Sequence, residues 1–178
     1  MNNVTVIGGS GFLGTEVSKE LINRKYKVTI FDKDAPKFIN KNLKFVKGDI
    51  LDKKKLEKVI SGSEYVYNFA GIADLDYGID QPMKSVEQNI LATVNMLNLC
   101  KKYSVKRYIY ASTIYVYSEK GGFYRCSKQA AENYIEEFFN KFKLNYTILR
   151  YGSLYGPGAG INNGLSKIIS NSLKNKKI

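Results

Sequence analysis

Val4-Thr5-Val6-Ile7-Gly8-Gly9-Ser10-Gly11-Phe12-Leu13-Gly14, near the start of the chain, reads as a buried strand that turns through glycines into a helix. Glycines 8, 11 and 14 give the spacing G-x-x-G-x-x-G. The first permits a tight turn, the second lets backbone approach a pyrophosphate, and the third lets the helix pack closely on a sheet. The helix N-terminus then presents unpaired N–H groups and a partial positive charge to phosphates. Gly8, Ser10, Gly11, Phe12, Leu13 and Gly14 are therefore the expected phosphate-binding residues. A glycine triplet alone is a weak signal; between a first strand and a helix it becomes a strong one. Asp32 closes the next strand-like run. A carboxylate there accepts hydrogen bonds from ribose hydroxyls and repels a 2′-phosphate, which favours NAD over NADP. Lys33, next to it, softens that preference.

Further along, apolar β-branched runs at Val28–Phe31, Leu43–Val46, Tyr65–Phe69, Arg107–Ala111 and Tyr146–Leu149 read as strands buried on both faces. Helical patterns lie between them: Phe12–Arg24 with Leu13, Val17 and Leu21 in step, Val86–Lys102, and Tyr124–Phe142. Gln81-Pro82 is an opening for the second, since Pro fits a first helical turn. The alternation predicts an α/β fold, a doubly wound parallel sheet of the Rossmann kind with strand order 3-2-1-4-5-6. Gly156-Pro157-Gly158-Ala159-Gly160 punctuates its end. The expected organisation is a dinucleotide-binding domain over 1–158 and the start of an incomplete substrate-binding region over 159–178.

Composition narrows the chemistry. The chain contains no histidine, which excludes Ser-His-Asp and Cys-His mechanisms within it and argues against a metal site. The two cysteines, Cys100 and Cys126, read as free thiols in a reducing cytoplasm, Cys126 as a helix-packing residue. No apolar run reaches the roughly 18 residues of a membrane span, and the first strand leaves no room for a signal peptide. The net charge is +12. Such a surface recruits nucleic acid, anionic lipid or phosphorylated substrates, but the lysines are scattered apart from Lys174, Lys176 and Lys177. The expectation is therefore solvated faces rather than a nucleic-acid or membrane surface.

Several later motifs appear in a fixed order: Gly48-Asp49-Ile50, Asn68-Phe69-Ala70-Gly71, Asn89 with Thr93 and Asn95, Ala111-Ser112-Thr113-Ile114-Tyr115-Val116-Tyr117, Tyr124-Arg125-Cys126-Ser127-Lys128, and Arg150 to Gly158. In that order, and after the glycine loop, they resemble the extended short-chain dehydrogenase/reductase family, which includes UDP-glucose 4-epimerases and sugar-nucleotide dehydratases. The resemblance covers nearly the whole chain. It implies that Asp49 and Ile50 flank an adenine and that Phe69, Ala70 and Gly71 line the dinucleotide cleft. It further implies that Asn89 braces the active-site strand, and that Ala111, Tyr151 and Ser153 contact the cofactor where nicotinamide and sugar meet. By register with the family motif, Thr113 rather than Ser112 is the catalytic hydroxyl. Tyr124 is the base, and Lys128 holds the nicotinamide ribose. The family's pairing of two long helices across a dimer axis implies a homodimer, through Val86–Lys102 and Tyr124–Phe142.

The residue chemistry agrees with those roles. Tyr124 and Lys128 share a helix face one turn apart. A free tyrosine, with a pKa of about 10, is a poor base, and a neighbouring ammonium and a cationic nicotinamide ring would both stabilise its phenolate. Tyr115 and Tyr117 are expected to pack near the cleft. The resulting expectation is a nucleotide-sugar epimerase or dehydratase that oxidises a sugar hydroxyl transiently. A reductase of another carbonyl or alcohol, and a non-catalytic dinucleotide sensor that binds protein or nucleic acid, stand beside it. Two features depart from the family pattern. The chain stops at Ile178, where a sugar-nucleotide domain would begin, so a fragment is expected. Only ten residues separate Thr113 from Tyr124, and Ser153 stands where many members carry Asn.

Overall fold

A computed structural model describes residues 2–159 and 164–175. In chain order it contains β1 (Asn3–Ile7), α1 (Phe12–Asn23), β2 (Lys27–Asp32), β3 (Leu43–Lys47), α2 (Lys53–Ile60), β4 (Tyr65–Asn68) and α3 (Leu75–Asp80). These are followed by α4 (Pro82–Ser85), a π-helical segment Val86–Leu91, α5 (Ala92–Lys102), β5 (Arg107–Thr113), a 3-10 turn Ile114–Tyr117, α6 (Gly122–Phe142), β6 (Tyr146–Tyr151) and α7 (Gly164–Asn175).

The strands form one six-stranded parallel sheet in the order β3-β2-β1-β4-β5-β6. This is the expected doubly wound order. Side chains alternate between two apolar layers, as strands covered on both faces require. Val4, Val6, Val28 and Ile30 meet Leu21 and Ile22 of α1. Ile7, Phe31, Val66, Tyr108 and Tyr110 meet α2, α5 and α6 through Leu56, Met96 and Ile135. Thr5 also points to the α2 side, where its hydroxyl donates to the Val59 carbonyl at 2.9 Å. Strand order reverses between β1 and β4, and a crevice opens there beyond the strands' carboxyl ends.

Helix α1 is rotated from its expected face. It buries Gly14, Ser18, Leu21 and Ile22, and of the expected Leu13–Val17–Leu21 stripe Leu21 is buried, Val17 packs partly against the core and Leu13 does not join it. The glycine contact sets this rotation: a Cβ on Gly14 would stand 2.2 Å from the Gly8 carbonyl oxygen. With Gly14 against the loop, Leu13 turns to the crevice. Helices α2 and α3 lay outside the expected elements. Each is opened by a capping aspartate, Asp52 accepting from Lys55 N and Asp74 from Tyr77 N, both at 3.0 Å. The long helix opens at Pro82 as expected and runs on to Lys102, interrupted by the π-helical segment.

Cys100 is buried, but Cys126, expected as a helix-packing residue, is exposed. It lies two residues from both Tyr124 and Lys128, and positions two apart point to opposite sides of a helix. Tyr117 is 73% exposed, and its ring packs beneath the Arg150 guanidinium, 4.9 Å from the ring centroid. Gly160 and the lysines at 176 and 177 lie outside the described residues. Among the described residues, no helix is long and apolar enough to cross a membrane.

Candidate dinucleotide cleft and catalytic cluster

The glycine loop forms the floor of the crevice. Gly8 has a φ of +76°, and a Cβ there would meet the Ala70 backbone nitrogen at 2.6 Å. This loop therefore lies directly against the end of β4. Gly11 differs: a Cβ there would touch only the Gly8 carbonyl oxygen, at 3.5 Å. Gly11 is not required for packing, and its bare backbone lines a cavity of about 320 Å³. It precedes α1 and offers no side chain to cap the helix, so the first-turn N–H groups remain for an external acceptor. A pyrophosphate fits that cradle.

Gly8, Ser10, Gly11, Asp32, Lys33, Ile50, Phe69, Ala70 and Gly71 all line this cavity. Asp32 accepts from Ser10 N at 2.9 Å and from Asp34 N at 3.2 Å, one on each carboxylate oxygen. The carboxylate is thus held rigidly at the rim. Asp49 does not line the cavity. Its carboxylate accepts from Leu51 N at 2.9 Å and pairs with Lys33 Nζ at 2.9 Å. The Leu51 bond first, then Lys33, hold the Asp49 carboxyl below the usual carboxylate range. Gln88 and Asp34 line the cavity as well, although neither belongs to a motif that marked it.

Asn89 lies outside the cavity walls too, because its amide is fully used within the protein. It accepts from Ile72 N at 2.8 Å and donates to the Ile72 carbonyl at 2.9 Å and to Ser127 Oγ at 2.8 Å. It therefore ties the segment after β4 to α6 rather than bracing β5. The π-helical segment is what brings Asn89 to both partners, and such wide turns are frequent at functional sites.

A second cavity, of about 460 Å³, shares Phe69 and Gly71 with the first. Its walls carry Phe12, Leu13, Ala111, Thr113, Tyr124, Lys128, Tyr151 and Ser153. The three expected catalytic residues thus converge from β5 and α6. The Thr113 side chain lies beside the Tyr124 phenol, near enough to favour its ionised form. The Lys128 ammonium donates to the Ala111 carbonyl at 2.8 Å and lies over the Tyr110 ring at 4.6 Å and the Tyr124 ring at 5.8 Å. The short connection from Thr113 folds as the 3-10 turn and sets Tyr115 edge-on to Tyr124, centroids 6.4 Å apart.

The electrostatics differ from the sequence expectation. Burial pushes the Tyr124 phenol up, and the nearby Thr113 offsets only part of this. Burial also pushes Lys128 down to about 8, with Glu132 acting against it. Lys128 is not among the groups that shift Tyr124, so in this arrangement the phenol stays neutral at physiological pH.

A family model described as the NAD dependent epimerase/dehydratase family matches residues 4–178. The chain belongs to this family. A dTDP-D-glucose 4,6-dehydratase of Dictyostelium discoideum is 30% identical over 99% of this chain and 49% of its own length. A UDP-glucose 4-epimerase of Schizosaccharomyces pombe is 28% identical over 87% of this chain and 51% of its own. Among solved structures, the UDP-glucose 4-epimerase of Thermotoga maritima with UDP-glucose aligns at a TM-score of 0.87 and 28% identity, over 98% of this chain and 64% of that one. The Thermus thermophilus UDP-glucose 4-epimerase in complex with NAD aligns at 0.84 and 26%, over 98% and 63%. The chain spans about half the length of the curated relatives it matches. The epimerase/dehydratase family is one of NAD-dependent enzymes, and the glycine cradle here fits its cofactor.

Proposed function

We propose that this chain binds NAD along the two adjoining cavities, and that the protein carrying it is an epimerase or dehydratase of a nucleotide-linked sugar. The observation that carries this reading is the convergence of Thr113, Tyr124 and Lys128 in a cavity that adjoins the glycine loop. The pyrophosphate lies on Gly8 to Gly14, the adenosine ribose on Asp32, and the adenine beside Ile50. When bound, NAD supplies a hydride acceptor that gives the hydride back before the product leaves.

Tyr124 takes the proton from a sugar hydroxyl. Thr113 hydrogen-bonds both the phenol and the substrate oxygen. Lys128 donates to the nicotinamide ribose, and its positive charge then lies close enough to favour phenolate. Burial keeps the Tyr124 phenol neutral, so its activation would depend on added cationic charge, which the nicotinamide ring would supply. Tyr151 and Ser153 border the place where the sugar enters. Residues 1–158 form the dinucleotide-binding domain, and 159–178 begin the region that completes the sugar site. Two free thiols support a reducing cytoplasm. Exposed Met83, Val86, Leu91, Phe123 and Tyr134 on the two long helical stretches support a homodimer.

Calorimetric titration with NAD⁺ and NADP⁺ beside a Gly11→Val variant tests the cofactor claim. NAD⁺ is expected to bind more tightly than NADP⁺, and the variant to lose binding with its melting temperature nearly unchanged. Absence of NAD⁺ binding in the parent chain sinks the proposal. With substrate, an epimerase or dehydratase leaves no net NADH absorbance, whereas a reductase does.

A further inference from the structure

The last three residues of β5 each meet a residue of α6. The Ala111 carbonyl accepts from Lys128 Nζ at 2.8 Å, the Ser112 hydroxyl donates to Glu132 Oε1, and the Thr113 side chain lies beside the Tyr124 phenol. Tyr124, Lys128 and Glu132 follow one another at intervals of four, so one helix face presents all three. The chemistry proposed above uses the first two and leaves Glu132 without a part.

Glu132 is 5% exposed. A carboxylate so placed is costly unless its oxygens are paired. Arg150 pairs them. Its Nε donates to Oε1 at 3.1 Å and to Oε2 at 3.2 Å, and Nη2 donates to Oε2 at 2.7 Å. Arg150 stands opposite Ser112 in the β5–β6 register, and its Nη1 reaches the hydroxyl of Tyr117, in the turn that follows Thr113. One carboxylate thus joins α6, β5 and β6, and through Arg150 the turn as well. The planar guanidinium fixes the direction of that carboxylate, which a single ammonium would not.

We propose that Glu132, oriented by Arg150, is a positioning residue. It holds α6 against β5 so that Tyr124 and Lys128 reach their partners, and it supplies the negative charge that keeps the Lys128 ammonium protonated. The groups facing Lys128 leave that task to Glu132. Tyr110 and Tyr124, whose rings lie against Lys128, are both pushed up by burial and stay neutral, while Arg150, paired with Glu132, is cationic. Burial draws the lysine down, and Glu132 opposes it, so that the ammonium titrates at about 8 with the carboxylate in place.

The inference rests on the proposed function only in giving Lys128 to the cofactor. Its test reads the lysine directly, by NMR titration of the Lys128 ε-carbon in chain labelled with ¹³C-lysine, with the signal assigned by its loss in Lys128→Met. Glu132→Gln keeps the volume and an acceptor for Ser112 but removes the charge. Its Lys128 midpoint is expected to fall by roughly one pH unit. At pH 8, NAD⁺ affinity measured by calorimetry then falls about fivefold, in the ratio of protonated lysine, and the gap closes at pH 6. A lower melting temperature with an unchanged midpoint and an unchanged pH profile of binding overturns the proposal. Should Glu132→Gln not fold, Glu132→Gln combined with Arg150→Gln removes both charges, and the same two readings decide. If the parent chain binds no NAD⁺, the function proposed above fails, while the Lys128 midpoint still decides the role of Glu132.

Discussion

Lys128 shows what burying an ammonium costs at a single residue. Its pKa lies at about 8 against an ordinary 10.5. Between those values the unfolded chain holds the proton that the folded chain has released, so this lysine's contribution to stability rises with pH from about 8 upward. Below 8 the folded protein carries a buried charge at a penalty of up to about 3 kcal/mol, at roughly 1.4 kcal/mol per pKa unit. Burial pushes Cys100, Tyr108 and Tyr110 the other way, so they oppose the gain once pH exceeds the usual thiol and phenol range. Lys128→Met is therefore expected to raise the urea midpoint at pH 7 by an amount worth about 1–3 kcal/mol and to flatten its rise from pH 8 to 9. It should weaken NAD⁺ binding at the same time. A lower midpoint at pH 7 would mean that the hydrogen bond to Ala111 outweighs the buried charge. The glycines separate in a similar way. Gly14→Ala pushes a methyl group into the backbone of Gly8 and Gly9, at 2.2 and 2.6 Å, and should cost about 1–3 kcal/mol. Gly11→Ala, whose methyl meets only one atom at van der Waals distance, should leave the denaturation midpoint unmoved. These two roles could be read in the sequence because they belong to backbone positions within one loop. The pairing of Asp49 with Lys33, and that of Glu132 with Arg150, could not: the partners are far apart in sequence and no local pattern announces them.

At the scale of elements, what could be read was set by whether burial leaves a local trace. Every strand of the sheet was visible, because parallel strands covered on both faces become continuous apolar runs. The edge strand β3 carries a weaker form of that signature, interrupted by Lys44 and without a fully buried residue, whereas β1 is buried along most of its length. The π-helical segment left no trace, since its cause is tertiary. A regular helix from Pro82 to Lys102 would satisfy the same residue pattern, and the wide turn goes with Asn89 bonding Ile72 and Ser127 at once. Helix α2 was missed for the opposite reason: its cap at Asp52 was a local signal, but Lys53-Lys54-Lys55 masked the apolar face of Leu56, Val59 and Ile60 behind it. Asn89 is accordingly the residue on which the crevice wall and the catalytic helix both depend. Asn89→Ala leaves the Ile72 amide and carbonyl and the Ser127 hydroxyl short of a partner, and is expected to cost about 2–4 kcal/mol in chemical denaturation. NAD⁺ affinity should fall with it, because Gly71, which lines both cavities, loses its anchor. Unchanged affinity in a destabilised variant would confine Asn89 to folding.

For the whole molecule, the order of the sheet follows from strict strand–helix alternation and right-handed crossovers, which leave few alternatives. Assembly does not follow so directly. The helices that cover β4, β5 and β6 spend their inner faces on the core and still present apolar side chains outward: Met83 is 67% exposed, Leu91 47% and Tyr134 47%. The Pro82–Lys102 run and α6 lie side by side, so these residues belong to one outer layer. A second copy of the same layer is the complement that symmetry provides most readily, since a two-fold interface uses one surface twice. Sedimentation equilibrium of the chain is therefore expected to report a dimer. Leu91→Lys, placed in that layer and away from both cavities, should shift it toward monomer while leaving the NAD⁺ affinity of each chain intact. A parent chain that remains monomeric at the highest attainable concentration would remove the dimer from the proposal and leave the dinucleotide cleft, which one chain builds unaided, as it stands.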